Sequence, residues 1–229
     1  MKVYLSFILS LLCLTQLWGG ENDKVIKLTY KISYSNIGED LSWAKSLLPN
    51  TQHLYIKDHQ SMVVLSGGHG GDQKYIVNNK DGNVLMMMNA MGKKFVMKST
   101  LAEMNLSNIL FQEPSYTLEN ETKKIAGHLC KKANIELNDG KTVVAYYTSE
   151  IKRPKEYKDL PLHHLPGIAL EYTQNIAHNI FSLSALYECT NSEKIELNDN
   201  FFTIEKGLPV IEKSDMKRYI QEGLPITTE

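Results

Sequence analysis

"KVIKLTYKISYS" spans Lys24–Ser35, and its hydrophobic pattern decides the fold. Ile26, Leu28, Tyr30, Ile32 and Tyr34 share one parity; Lys27, Thr29, Lys31 and Ser33 share the other. A period of two belongs to a β-strand with one buried and one wet face, because successive side chains on a strand point to opposite sides.

The same period recurs downstream. In "ANIELNDGKTVVAYYTSE" (133–150), Ala133, Ile135 and Leu137 alternate, Asp139-Gly140 supplies a turn and residues 143–147 return, which predicts a hairpin. "NIFSLSALYE" (179–188) alternates through Phe181, Leu183, Ala185 and Tyr187. Further strands are expected near 53–57, 61–66, 74–78, 83–88, 94–98, 168–174 and 200–204, with "SGGHGGD", "NNKDGN" and "MGKK" as punctuation. Helix is scarce. "GEDLSWAKSLLP" (38–49) is a candidate stopped by Pro49, and "SDMKRYIQEG" (214–223) is another, with Ser214 as N-cap and Gly223 past its end. The expected architecture is mainly β: a curved antiparallel sheet, a half-barrel, carrying one or two short helices.

Composition narrows the class. The chain has 229 residues, a formal net charge of -1 and 42% hydrophobic residues, enough for one good core. Balanced charge with no basic stripe argues against nucleic acid as a partner. The N-terminus carries Lys2, the apolar run "VYLSFILSLLCLTQLW" and then Gly19-Gly20, the layout of an export signal. Residues 1–20 are therefore expected to be removed, leaving 21–229 as a single β-rich domain in the periplasm or outside the cell, with outer-membrane association left open. Leu12 directly before Cys13 does not suit a lipoprotein peptidase pocket, which takes a small residue there. No stable transmembrane anchor is expected, because the apolar run is short.

The polar motifs are weak. His163-His164 in "LPLHHLPGIALEY" (160–172) are adjacent, so on an extended segment they diverge and would not share an ion. His53 and His59 lie too far apart along a strand to do so. A zinc site needs three or four converging ligands, and neither H-E-x-x-H nor a Cys/His cluster occurs. "SGGHGGD" lacks the G-x-S-x-G partner that an esterase oxyanion loop requires, and reads better as a flexible hairpin tip. No cofactor, metal or catalytic residue is assigned, and a non-enzymatic role is expected.

"VLMMMNAMGKKFVM" (84–97) is unusual for its methionines, which give unbranched, adaptable apolar surface. Core filling, a pliable lining for an apolar ligand, and soft-metal binding by thioethers are the three readings. Cys130 and Cys189 remain in the mature chain. Cys189 shares parity with Phe181, Leu183, Ala185 and Tyr187. Leu129, Ala133, Ile135 and Leu137 mark the apolar parity of the other strand, so Cys130 is expected on the opposite face. A disulfide needs Cβ atoms about 3.8 Å apart, so two free thiols are expected unless a break near Glu188 changes the parity.

"ETKKIAGHLCKKANIEL" (121–137), "DGKTVVAYYTSEI" (139–151) and "HLPGIALEY" (164–172), in this order, resemble a secreted bacterial family of unknown function that neighbours the GLPGLI family. His164 stands where the GLPGLI motif opens with glycine, and Tyr146-Tyr147 where a Trp-Tyr pair is common. The resemblance implies a LolA/LolB-like, lipoprotein-carrier-like architecture with helices across the concave side of a half-barrel. It implies no catalytic residues. By analogy with that fold, the expected function is an exported binding protein holding a hydrophobic or lipid ligand, lined by Val84, Met86, Met88, Phe95, Met97, Ile168, Leu170 and Tyr172. The alternative is an envelope interaction or structural protein with a fully packed core and no ligand.

Overall fold

The computed structural model describes residues 24–37, 45–69, 71–90, 93–107, 114–137, 140–153, 157–178, 181–198, 200–212 and 215. The expected signal peptide and most of the two expected helices lie outside them. Of the first helix, residues 45–47 form one tight helical turn.

Among the described residues, twelve strands form one sheet. In chain order they are β1 (Lys24–Ser35), β2 (Thr51–Lys57), β3 (Gln60–Ser66), β4 (Gln73–Asn78), β5 (Asn83–Ala90), β6 (Lys93–Thr100), β7 (Ser115–Ile125), β8 (His128–Glu136), β9 (Thr142–Thr148), β10 (Ile168–His178), β11 (Phe181–Glu196) and β12 (Val210–Glu212). A helix, α1 (Leu101–Ser107), follows β6. The spatial order is β12-β6-β5-β4-β3-β2-β1-β11-β10-β9-β8-β7. Every pairing is antiparallel except β12 with β6, and the sheet is curved and open, as the sequence led one to expect.

Alternation splits the core between two faces. On β2, Leu54 and Ile56 join the largest apolar cluster, while Tyr55 packs into a second one on the other side. β3 repeats this, with Val63 and Leu65 on one face and Met62 and Val64 on the other. The large cluster runs along the concave face through Leu28, Tyr30, Ala133, Ile135, Ala145, Leu170, Tyr172 and Tyr187, all buried. The second lies beneath the chain that leaves β11, where Phe201, Phe202 and Ile204 fold back against Val25, Met62 and Ile76. Residues 200–204 were expected as a strand; they form a turn, because their apolar side chains cap this outer face instead of pairing at an edge.

Ala126 (φ 48°) and Gly127 (φ 87°) are both left-handed and close a two-residue turn between β7 and β8, with Ile125 opposite His128. The stretch therefore makes a hairpin. One other difference is local: Cys130 does not face away from Cys189. Cys130 and Cys189 are 0% and 4% exposed in the same concave cluster, whereas Leu129 is 55% exposed. The alternation in β8 breaks between Cys130 and Ala133, beside a β7 bulge where the register skips from Leu118 to Thr122. Both thiols are nevertheless unbonded.

Candidate functional site

The concave face is the natural place for a ligand, and a segment of the chain itself occupies it. Between β9 and β10 the chain runs as an irregular strap, whose Ile151, Tyr157, Leu160, Leu162 and Leu165 all belong to the concave cluster at 7% exposure or less. "EYKDLPLHHL" supplies the means. Pro161 and the following Pro166 prevent regular pairing, and the apolar residues supply side chains to bury.

Polar groups fasten the strap at both ends. The Tyr157 hydroxyl lies 2.6 Å from the carbonyl oxygen of Asp58 and 2.8 Å from that of Gln60, in the turn joining β2 to β3. Ser61 on β3 donates its hydroxyl to the carboxylate of Asp159. Burial pushes the Asp159 carboxyl above its ordinary range, opposed by hydrogen bonds from Ser61 and Asn79 and by the charge of Arg153. The Arg153 guanidinium donates to the carbonyl oxygens of Tyr157 (3.2 Å), Leu165 (3.0 Å) and His163, and so holds the strap's own turns closed. Leu162 adopts a left-handed φ of 59° within them.

At the strap's far end Gly167 lets it rejoin the sheet. Its role is closeness rather than a special φ: a Cβ there would sit 2.2 Å from the Thr148 carbonyl oxygen. His163 and His164 pack edge to face with ring centroids 6.0 Å apart, and His164 lies 5.5 Å from the ring of Tyr116. Among the described residues no group of three or more His, Cys, Asp or Glu could hold a metal ion.

The expected ligand-lining residues do not converge. Phe95, Met97, Met86 and Met88 cluster with Ile211 at the β5–β6–β12 end of the sheet. Val84, on β5, is buried there too. Ile168, Leu170 and Tyr172 lie in the concave cluster under the strap. Six interstrand steps separate β5 from β10, each about 4.8 Å.

One polar chain at the rim of the concave face has no counterpart in any linear motif. His128 opens β8 and lies between two partners: its Nδ1 is 2.9 Å from Glu150 Oε2, and its Nε2 is 3.0 Å from Ser192 Oγ. Glu150 Oε1 accepts the backbone N–H of Leu129 at 3.4 Å, and the N–H of Glu150 donates to Thr148 Oγ1 at 3.2 Å. Ser192 pairs with buried Leu28, which sets it on the concave side. In a flat sheet β8 and β11 would stand three steps, roughly 14 Å, apart; the curl of the sheet lets a single imidazole join them.

No protein-family model and no curated protein matches the sequence. Solved structures match in fold. The structure of PNGF-II in the P21 space group aligns with a TM-score of 0.50 at 16% identity, covering 86% of this chain and 33% of that one. The chain thus spans about a third of PNGF-II's length. An uncharacterized conserved protein from Thermus thermophilus aligns with a TM-score of 0.50 at 8% identity, covering 83% of this chain and 91% of that one. The MucA/MucB complex of Pseudomonas aeruginosa reaches a TM-score of 0.39 at 9% identity, over 80% of this chain and 56% of that one. At these identities the likeness is one of fold alone. No helix among the described residues is long and apolar enough to cross a membrane.

Proposed function

We propose that this chain is an exported protein that acts through contacts at its surface, and that its concave face holds its own strap in the place of an apolar ligand. One observation carries the reading: Tyr157, Leu162 and Leu165 of the strap are 0%, 0% and 1% exposed against Leu28, Ile135 and Leu170, each 0% exposed. Side chains bordering a water-sized void keep some accessible area, and these keep almost none. In a lipid carrier the trough would stay open to its cargo. Here the strap would have to leave first, breaking the Tyr157 and Asp159 contacts and exposing its own leucines.

Export rests on the Lys2-led apolar run before the first strand. A periplasmic or extracellular site and membership of the secreted family neighbouring GLPGLI belong to the same reading, supported by the motifs "ETKKIAGHLCKKANIEL" and "HLPGIALEY". Among the described residues, it is the strap that packs into the concave cluster.

The test is native mass spectrometry of freshly purified mature protein, with an organic extract of the same sample. The mass of the polypeptide alone and a lipid-free extract are expected. A stoichiometric lipid in both would overturn the reading.

A further inference from the structure

Glu150, His128 and Ser192 are ordered as acid, base and nucleophile. A carboxylate only accepts hydrogen bonds, so the 2.9 Å contact with Glu150 places the imidazole proton on Nδ1. The lone pair of Nε2 then faces Ser192 Oγ at 3.0 Å and accepts the hydroxyl proton. A nucleophile within reach of a base that a third group orients is the signature of an activated serine, and it is recognised by geometry rather than by chain order. Glu150 is itself held by the Leu129 amide. The site is open to small molecules: Glu150 and His128 side chains are 51% and 23% exposed, and Ser192 is half-buried.

We propose that Ser192 is an acylatable nucleophile and that this rim hydrolyses short-chain carboxylic esters, an activity beyond the contact role above. Ser192 Oγ attacks the ester carbonyl carbon while its proton passes to His128 Nε2. The imidazolium returns that proton to the departing alkoxide, leaving an acyl-serine and an alcohol. Water, deprotonated by His128, then attacks the acyl-serine; the carboxylic acid leaves and Ser192 recovers its proton. Glu150 is a positioning residue that fixes the Nδ1–H tautomer. The preference for short acyl groups rests on the packed-face reading, because a concave face filled by the strap leaves no trough for a long chain.

The mature chain is incubated with a fluorophosphonate probe, and the label is located by peptide mass spectrometry. Turnover of p-nitrophenyl acetate and p-nitrophenyl palmitate is measured in parallel. A label on Ser192 is expected, with acetate turnover lost in Ser192→Ala and lowered about 100-fold or more in His128→Gln. Glu150→Gln lowers kcat with KM unchanged, which a merely structural role would not produce. An unlabelled Ser192 in the wild-type chain, or acetate turnover equal to that of Ser192→Ala, overturns the proposal without recourse to any variant's folding. Palmitate turnover through a labelled Ser192 would overturn the short-chain preference, and with it the packed face, while the serine assignment stands.

Discussion

The hydroxyl of Tyr157 lies 2.6 Å from the carbonyl oxygen of Asp58, so the connection between β9 and β10 is tied to the turn between β2 and β3, on the far side of β1. Tyr157 is fully buried, and its hydroxyl is the polar end of a ring otherwise packed among leucines. Tyr157→Phe keeps the ring and removes the hydroxyl that bonds the Asp58 and Gln60 carbonyls. It should cost about 0.5–1.5 kcal/mol, read as a lower urea midpoint at unchanged m-value. An unchanged midpoint would mean that the strap is not anchored there.

Gly167 gives a sharper steric test. Its Cβ would fall 2.2 Å from one backbone atom of Thr148 and 2.6 Å from another, and backbone cannot swing aside. Gly167→Ala should destabilise by about 3 kcal/mol or more. Gly82→Ala is the control: φ is +73° but nothing lies within 4 Å, so only backbone strain of about 1–2 kcal/mol is expected. Equal losses in the two variants would contradict the close approach of strap and β9.

How legible was this in the sequence? The period of two in Lys24–Ser35 and the Asp139-Gly140 turn announced the sheet, because burial on one face imposes that alternation locally. The strap was not legible as a plug. "EYKDLPLHHLPG" has prolines and no period, and its leucines acquire a destination only once the sheet curls beneath them. Parity failed at Cys130 because a bulge in the neighbouring strand left no mark in β8's own sequence. The Ser192–His128–Glu150 chain was invisible for a related reason: His128 is 22 residues from Glu150 and 64 from Ser192, and only the curvature unites them.

The two cysteines test the alkaline behaviour of the core. Burial pushes the Cys130 and Cys189 thiols up to about 11. An unfolded chain ionises these thiols near the ordinary value of about 8.5, so between that pH and about 11 the unfolded state holds fewer protons than the folded one. Stability should fall across this window as pH rises, and Cys130→Ala/Cys189→Ala should flatten part of the decline. A slope identical to that of wild type would contradict thiol burial. In the native protein at neutral pH both thiols should resist Ellman's reagent, and two should react after denaturation without reductant.

Asp159 carries the opposite lesson for a carboxyl. Its folded-state affinity for protons is raised, chiefly by burial, so its ionisation weighs against folding at neutral pH and the penalty is relieved as pH falls. Asp159→Asn retains an acceptor for Ser61 and removes the buried charge. It should be more stable than wild type at pH 7, with the difference shrinking under acid conditions. A variant less stable at pH 7 would show that the charge pairs favourably with Arg153.

The central claim is that the strap is part of the core and not a loose cover over an empty trough. Hydrogen–deuterium exchange of the mature protein, resolved to peptides, measures this directly. The amides of His163 and Leu165 donate to the carbonyls of Leu160 and Leu162 beneath buried side chains. Peptides covering residues 157–165 should therefore exchange on the timescale of β10, far more slowly than the turn at residues 79–82. Exchange of 157–165 as fast as that turn, with β10 still protected, would contradict the account.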